Sequence, residues 1–413
     1  MVEMRCRLCH GSLRHTFVDM GVLPLANSYL RVEQLGYPEP MYPLRAFVCG
    51  DCFLVQSDEA ASPEQLFSEY PYLSSCSESW LQHAREYVEM VVGRFGMDGR
   101  SQIVEVGSND GYLLQYFKEK GMPVLGIEPA ANVAAVALRR GIPTLVKFFG
   151  QQTARGVAGE WGCADLLVGN NVLAHVHDLH DFVHGIKILL KPRGIITLEF
   201  PHLMKMVDGR QFDTIYHEHV SYFSLFTVER LFAAHALAVF DVEVLPTHGG
   251  SLRIYVRHSG DSSRPVGARV GDLRARERTA GLDRLEYYQS FAPKVTEAKS
   301  KLQDFVYAAK REGKSIVGYG APAKGATLLS YCGIGPEFVK YTVDVNPYKQ
   351  NRFLPGTHIP IRHPDEIRQT RPHYLLILAW NLRQEIMKQM AHIYEWGGQF
   401  VIPVPEIKVY SLS

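Results

Sequence analysis

Three groups of residues in this 413-residue chain have the types and spacing to do chemistry. The first is a pair of CxxC knuckles, Cys6-Arg-Leu-Cys9 and Cys49-Gly-Asp-Cys52. Together they supply four thiolates, the donor set of a closed tetrahedral zinc site. Four cysteines leave no position open for water, so such a metal holds a fold together and does not catalyse. The 39 residues between Cys9 and Cys49 exceed the usual ribbon spacing and read as an insertion within a small zinc domain. His10 is a spare beside the first knuckle, and Cys76, Cys163 and Cys332 have no partner at ligand spacing, so they read as apolar side chains or free thiols.

The second group is Tyr216-His217-Glu218-His219. A zinc protease needs His-Glu-x-x-His, with its histidines one helical turn apart. Histidines two residues apart share a strand face but diverge around a helix, so this stretch does not make a metalloprotease. Histidine does suit removal of a proton next to a ketone, because its pKa lies near the operating pH. A neighbouring carboxylate can raise its basicity or fix its tautomer. Tyr216 and Tyr222 can donate hydrogen bonds to a developing enolate oxygen.

The third group is Glu105-x-Gly107-x-x-x-Gly111, which follows the apolar run Ile103–Val106 and precedes a helix expected from about Tyr112. A second apolar strand over Val124–Ile127 ends at Glu128, about 20 residues on, where a carboxylate reaches ribose hydroxyls. This βαβ unit implies a nucleoside cofactor. The turn lacks the GxGxxG that seats a pyrophosphate, and its acidic crest, Asn109-Asp110, suits a cationic sulfonium better.

The elements that must position these groups can be laid out along the chain. A helix is expected near residues 79–96 and further strands over 165–169, 194–200, 238–242 and 251–256, the last two joined through "THGGS" as a hairpin. This is an α/β, doubly wound sheet ending in an antiparallel strand, with ligands beyond the carboxyl ends of its strands. The Tyr216–His219 stretch lies in a connection of about 25 residues between the strand ending at Pro201 and the next helix, much longer than the usual two to six, and connections of that length at this edge of a sheet are commonly functional. After residue 260 the sequence becomes charged with spaced apolar residues, as in long amphipathic helices. A second strand, glycine turn and helix then follow in "SIVGYGAPAKGATLLS", with Val343-Asp344 closing the next strand.

Composition sets limits. The formal charge of +1 gives no general reason to bind nucleic acid or an anionic membrane. No apolar run approaches the roughly 20 residues that span a bilayer, and the amino terminus lacks a signal-peptide core. A cytoplasmic protein acting on a small molecule, with two or three domains, is the expectation.

"EVGSNDG" resembles motif I of class I S-adenosylmethionine methyltransferases, and "GIEPAANVA" resembles their acidic second motif. Together with the four-cysteine domain, "YHEHVSYFS", "NNVLAHVHDLHDF", "HGGSLRIYV" and "GYGAPAKGATLL", the chain resembles the sugar C-methyltransferases of deoxysugar pathways over nearly its whole length. The resemblance implies a class I methyltransferase Rossmann-like core over residues 76–260, a zinc-binding domain over 1–75 and a C-terminal Rossmann-like domain over 261–413. It implies S-adenosylmethionine as methyl donor, held by Glu105, Gly107, Asn109, Gly111, Glu128, Pro129, Asn170 and Asn171. Tyr216, Glu218 and His219 carry the family's site, with His219 as the base and His217 a bystander; Tyr222 and Tyr72 join them, Tyr70 being the alternative to Tyr72. The substrate implied is a nucleoside-diphosphate (TDP or GDP) 4-keto-6-deoxy sugar methylated at C-3, with C-5 as the alternative. His175, His248, Gly318, Gly320, Lys324, Lys349 and Arg352 are its expected contacts, and His177 could line the same pocket. A monomer or small homo-oligomer is expected. Two other readings are a zinc-ribbon RNA methyltransferase or binding module, disfavoured by the neutral charge, and a nicotinamide-dependent sugar oxidoreductase using the last domain.

Overall fold

A computed structural model describes residues 4–68 and 70–412. Three sheets organise them. Strands β1 (His15–Leu23), β2 (Tyr42–Val48) and β3 (Val55–Ser57) run antiparallel beside the cysteine knuckles. The stretch between the two knuckles, expected as an insertion, therefore supplies most of this first sheet. Its inward residues are apolar and need a partner surface: Phe17 stacks on Phe291 at 4.5 Å, in one core shared with the last third of the chain.

The middle of the chain supplies β4 (Ile103–Val106), β5 (Val124–Ile127), β6 (Thr144–Leu145), β7 (Ala164–Asn170), β8 (Leu190–Pro201), β9 (Ser221–Tyr222), β10 (Leu237–Leu245) and β11 (Ser251–His258). Without β9 these form a seven-stranded sheet in the order β10-β11-β8-β7-β4-β5-β6. β4 to β8 pair in parallel and are apolar on both faces, as strands covered by helices must be. The hairpin returns so that β11 slots antiparallel between β8 and β10, with Leu252 opposite Phe200 and Ile254 opposite Val242. The helix over Glu78–Phe95 covers one face: Ser77 caps it, Gly96 ends it at φ +63°, and Trp80, Ala84, Tyr87, Val88 and Val91 form its buried stripe.

Two local expectations are corrected. The helix after the first glycine turn begins at Leu114, not Tyr112, because Gly111 at φ +78° prolongs the turn. The connection after Pro201 is not a plain loop: it contains a helix, Leu203–Asp208, and strand β9, which pairs with β3 and so closes the first sheet onto the histidine stretch. Apolar Leu203, Met204, Met206 and Val207 bury that helix.

After helices over Ala268–Ala280 and Phe291–Arg311, a second parallel sheet is built from β12 (Ile316–Tyr319), β13 (Val339–Val343), β14 (Arg352–Phe353), β15 (Pro360–Arg362), β16 (Tyr374–Ile377), β17 (Gln399–Ile402) and β18 (Lys408–Tyr410), with antiparallel edges at β14 and β18. The carboxyl ends of β4 and β12 both open onto one cleft. No helix among the described residues is long and apolar enough to cross a membrane.

Candidate active site

The cleft is a cavity of about 1050 Å³ bounded by both parallel sheets, the segment 70–80 and the histidine stretch. Its first half lies over β4 and β5. Gly107 adopts φ +67°, a conformation that glycine takes without strain, and so turns the backbone towards the cleft. Glu128 sits at the end of β5 and accepts from Asn109 N and Ala130 N, both at 2.9 Å. Burial raises its pKa above the usual carboxylate range. Each of its oxygens keeps a second lone pair, so the carboxylate can still receive two ribose hydroxyls. Gly107, Asn109, Glu128, Pro129, Asn170 and Asn171 all line the cavity, and Asn171 Oδ1 is buried with no partner among the described residues. An open glycine turn with an acid and the unsatisfied amide oxygen of Asn171 fits S-adenosylmethionine.

Glu105 and Gly111 do not line the cavity. Glu105 is fully buried in β4, where burial and the nearby Glu128 and Asp110 push its pKa well up. A Cβ on Gly111 would stand 2.9 Å from Ile142, so this glycine serves close packing.

The second half holds the histidines. His219 Nδ1 donates to the Thr214 carbonyl at 2.9 Å, and its Nε2 accepts from the Tyr216 hydroxyl at 2.8 Å. His175 lies with its ring centroid 4.9 Å from that of His219 and donates from Nδ1 to the Glu218 carbonyl at 2.8 Å. Both imidazoles are held in one tautomer by backbone carbonyls, with Nε2 as the basic atom. The expected carboxylate assistance to His219 is absent. The Glu218 carboxylate turns away, accepting from Asn27 Nδ2 at 2.7 Å and the Tyr70 hydroxyl at 3.0 Å, because residues 216–219 form a turn closed by the bond from His219 N to the Tyr216 carbonyl. Burial, then the neighbouring His175, hold the His219 pKa well below 6.5, and burial brings His175 down to about 4. Both rings are neutral at physiological pH.

Other expected residues divide in the same way. Tyr72, His175, His177, His248, Gly320, Lys324 and Lys349 line the cavity. Tyr222 does not: it is buried beneath the histidine stretch, with its hydroxyl unpartnered among the described residues. Gly318 lies inside β12, where a Cβ would stand 2.7 Å from Thr342 Oγ1, and Arg352 lies on β14, away from the cleft. His217 bonds the Pro43 carbonyl at 3.2 Å and faces away, as a bystander would. Lys349 is occupied by the Ala321 carbonyl at 2.9 Å and Asp344 at 3.8 Å. Tyr70 makes the bond to Glu218, while Tyr72 packs edge-on against it.

Asn27 and Arg7 gave no sequence signal, since their contacts with Glu218 and Val220 join positions 191 and 213 residues apart. Arg7 stands between two of the knuckle cysteines and donates to the carbonyls of Val220, at 2.7 Å, and Ser57, at 2.9 Å. Ser57 Oγ donates to the His219 carbonyl at 3.2 Å. The four cysteine sulfurs lie within 4.8 Å of one another. Sulfurs about 2.3 Å from a central zinc would be about 3.8 Å apart, so the set fits that ion.

Burial pushes the Glu218 pKa up to about 7, against the bonds from Asn27 and Tyr70. A raised folded-state pKa means that folding favours the protonated form. The stabilisation is complete below the ordinary glutamate pKa and is lost as pH rises through about 7. Glu218→Gln, neutral throughout, is therefore expected to melt increasingly above wild type as pH is raised from 5 to 8, by several degrees at the upper end. A melting difference that stays constant over that range would contradict the buried carboxyl.

Residues 6–67 match a family description for a zinc binding domain, 80–242 one for a methyltransferase domain and 246–405 the C-methyltransferase C-terminal domain. The chain is 36% identical to the C-methyltransferase NovU of Streptomyces niveus, covering 98% of this chain and 96% of NovU. The chain belongs to the C-methyltransferase family. Among solved structures, an S-adenosylmethionine-dependent methyltransferase from Mesorhizobium loti is 17% identical, covering 43% of this chain and 99% of its own at a TM-score of 0.34. The magnesium protoporphyrin IX methyltransferase of Synechocystis PCC 6803 with bound SAM is 12% identical, covering 43% and 78% at 0.33. This C-methyltransferase uses S-adenosylmethionine and carries a four-cysteine zinc-binding domain.

Proposed function

We propose that this enzyme methylates C-3 of a nucleoside-diphosphate 4-keto-6-deoxy sugar, TDP- or GDP-linked, through an enolate. The observation that carries this reading is a pair of neutral, tautomer-fixed imidazoles in the same cavity as the cofactor turn, with a second nucleotide-binding type of sheet forming the opposite wall. A carbon becomes nucleophilic when a proton beside a ketone is removed, and a neutral imidazole Nε2 is an acceptor for it. His219 is the base: the Thr214 carbonyl keeps the hydrogen on Nδ1 and leaves Nε2 to take a second. The Tyr216 hydroxyl, now on Nε2, must swing aside and can then donate to the sugar's carbonyl oxygen. Bound S-adenosylmethionine supplies the electrophilic methyl group. The segment with Tyr70 and Tyr72 covers the site, with its backbone tied to Asn109 and Asn132. The second sheet carries the sugar nucleotide at the end of β12.

Calorimetric titration with S-adenosylhomocysteine, then with TDP or GDP present, tests this. Binding of the homocysteine product and one diphosphate is the expected result and names the nucleotide. Binding of neither diphosphate would overturn the sugar-nucleotide substrate, and turnover that methylates C-5 would overturn the position.

A further inference from the structure

Deprotonation beside a ketone moves an electron pair onto the carbonyl oxygen, and this cleft offers few positive groups to meet it. Burial, and then the charge of Lys324, bring His248 down to about 4; burial brings His175 down to about 4 and holds His219 well below 6.5, so these three rings are neutral. Three lysines line the cavity. Lys147 is exposed, and Lys349 is bonded to the Ala321 carbonyl and paired with Asp344. Lys324 has no carboxylate at ion-pair distance among the described residues; its Nζ donates to Asn381 Oδ1 at 3.1 Å and stands 4.7 Å over the Trp380 ring.

Trp380 places that ammonium. Its indole donates to Asp213 Oδ2 at 2.6 Å, one residue before the Thr214 whose carbonyl fixes His219. Its other edge packs against Gly249, where a Cβ would come within 2.5 Å, next to His248. The lysine is therefore held over a ring wedged between the two segments that carry His219 and His248, and its charge lowers the pKa of both histidines.

We propose that Lys324 is a catalytic residue whose ammonium stabilises the enolate oxygen, and is not the counter-ion of the substrate's diphosphate. This rests on the keto-sugar reading above. In the step, the C–H bond breaks, the proton goes to imidazole Nε2 and the electron pair spreads onto the carbonyl oxygen facing Lys324. A fixed cation at that oxygen acts on the transition state, where the charge develops, more than on the neutral ketone.

The test separates proton removal from methyl transfer. The full-length zinc-loaded protein, with S-adenosylhomocysteine bound and a nucleotide-linked 4-keto-6-deoxy sugar added, is placed in D₂O, and exchange of the proton beside the ketone is followed by NMR. Lys324→Met is expected to slow exchange by about 100-fold or more, the effect of losing one oxyanion donor. Affinity for the free diphosphate is expected to stay within about threefold, and Lys324→Arg to recover at least tenfold of the lost rate. If Lys324→Met does not fold, Asn381→Ala, which releases the ammonium, is expected to slow exchange by about tenfold with homocysteine-product binding retained. Unchanged exchange with diphosphate affinity lost would assign Lys324 to the phosphates instead and overturn the proposal. Borohydride trapping of a sugar adduct on Lys324 would make it a nucleophile, also against the proposal. Absence of exchange in the unaltered protein with either nucleotide would overturn the sugar reading itself.

Discussion

His219→Ala is expected to lower kcat for methyl transfer by about 10²- to 10⁴-fold, the range for loss of a positioned general base. S-adenosylhomocysteine affinity should remain within about twofold, because the cofactor turn at Gly107 and Glu128 is built by β4 and β5 without the histidine stretch. The size of the loss depends on what replaces the imidazole. His175 stands close by with its own Nδ1 fixed by the Glu218 carbonyl, so its Nε2 is a similar acceptor beside His219. If His175→Ala proves as damaging in isotope exchange and His219→Ala leaves exchange intact, the base is His175 and the assignment is reversed. Normal turnover by His219→Ala would remove His219 from the chemistry. Tyr216→Phe, which frees Nε2 but deletes the donor, should fall between wild type and His219→Ala.

Metal removal should have the other large effect. Apparent binding energies of structural zinc sites run to about 10–16 kcal/mol, as much as the whole stability of many domains. The consequence here goes beyond local unfolding, because Arg7 in the first knuckle bonds the Val220 carbonyl and β3 pairs with β9 directly after His219. Ser57 and Asn27, from the same sheet region, hold the His219 carbonyl and the Glu218 carboxylate. Cys49→Ser or stripping with a chelator is therefore expected to lower the melting temperature by roughly 10 °C or more. Exchange and methyl transfer should drop at least about 100-fold, since a loosened histidine stretch loses its alignment. Elemental analysis should give one zinc per chain. Metal-free protein with an unchanged melting curve and full exchange would show that neither the fold nor the histidine depends on the knuckles.

What could be read without coordinates had short-range causes. CxxC spacing places two sulfurs on one ion by local geometry alone. An apolar strand, a glycine turn and an acid at the end of the next strand form one βαβ unit, so the positions of Gly107 and Glu128 follow from neighbours in sequence. Strand periodicity located β4, β5, β7, β8, β10 and β11, and even the hairpin, but not that β11 would slot between β8 and β10. That order depends on which strand face finds a covering helix, which is a matter of packing across the whole sheet.

Tertiary structure alone decided the rest, because a side chain's role depends on its direction and on partners distant in the chain. Sequence placed Glu218 beside His219, yet the turn over 216–219 separates their side chains, and Glu218 serves Asn27 and Tyr70 instead. Tyr222, Gly318 and Arg352 have suitable types but face a core, a neighbouring strand and an outer edge. The contact of Lys324 with Trp380 depends on β12 and β16 lying side by side in the second parallel sheet, and that of Arg7 with Val220 joins positions 213 residues apart. In this protein local spacing determined the metal ligands, the cofactor turn and the histidine stretch, while long-range packing determined which atoms of that stretch face the cleft and which charge stands opposite them.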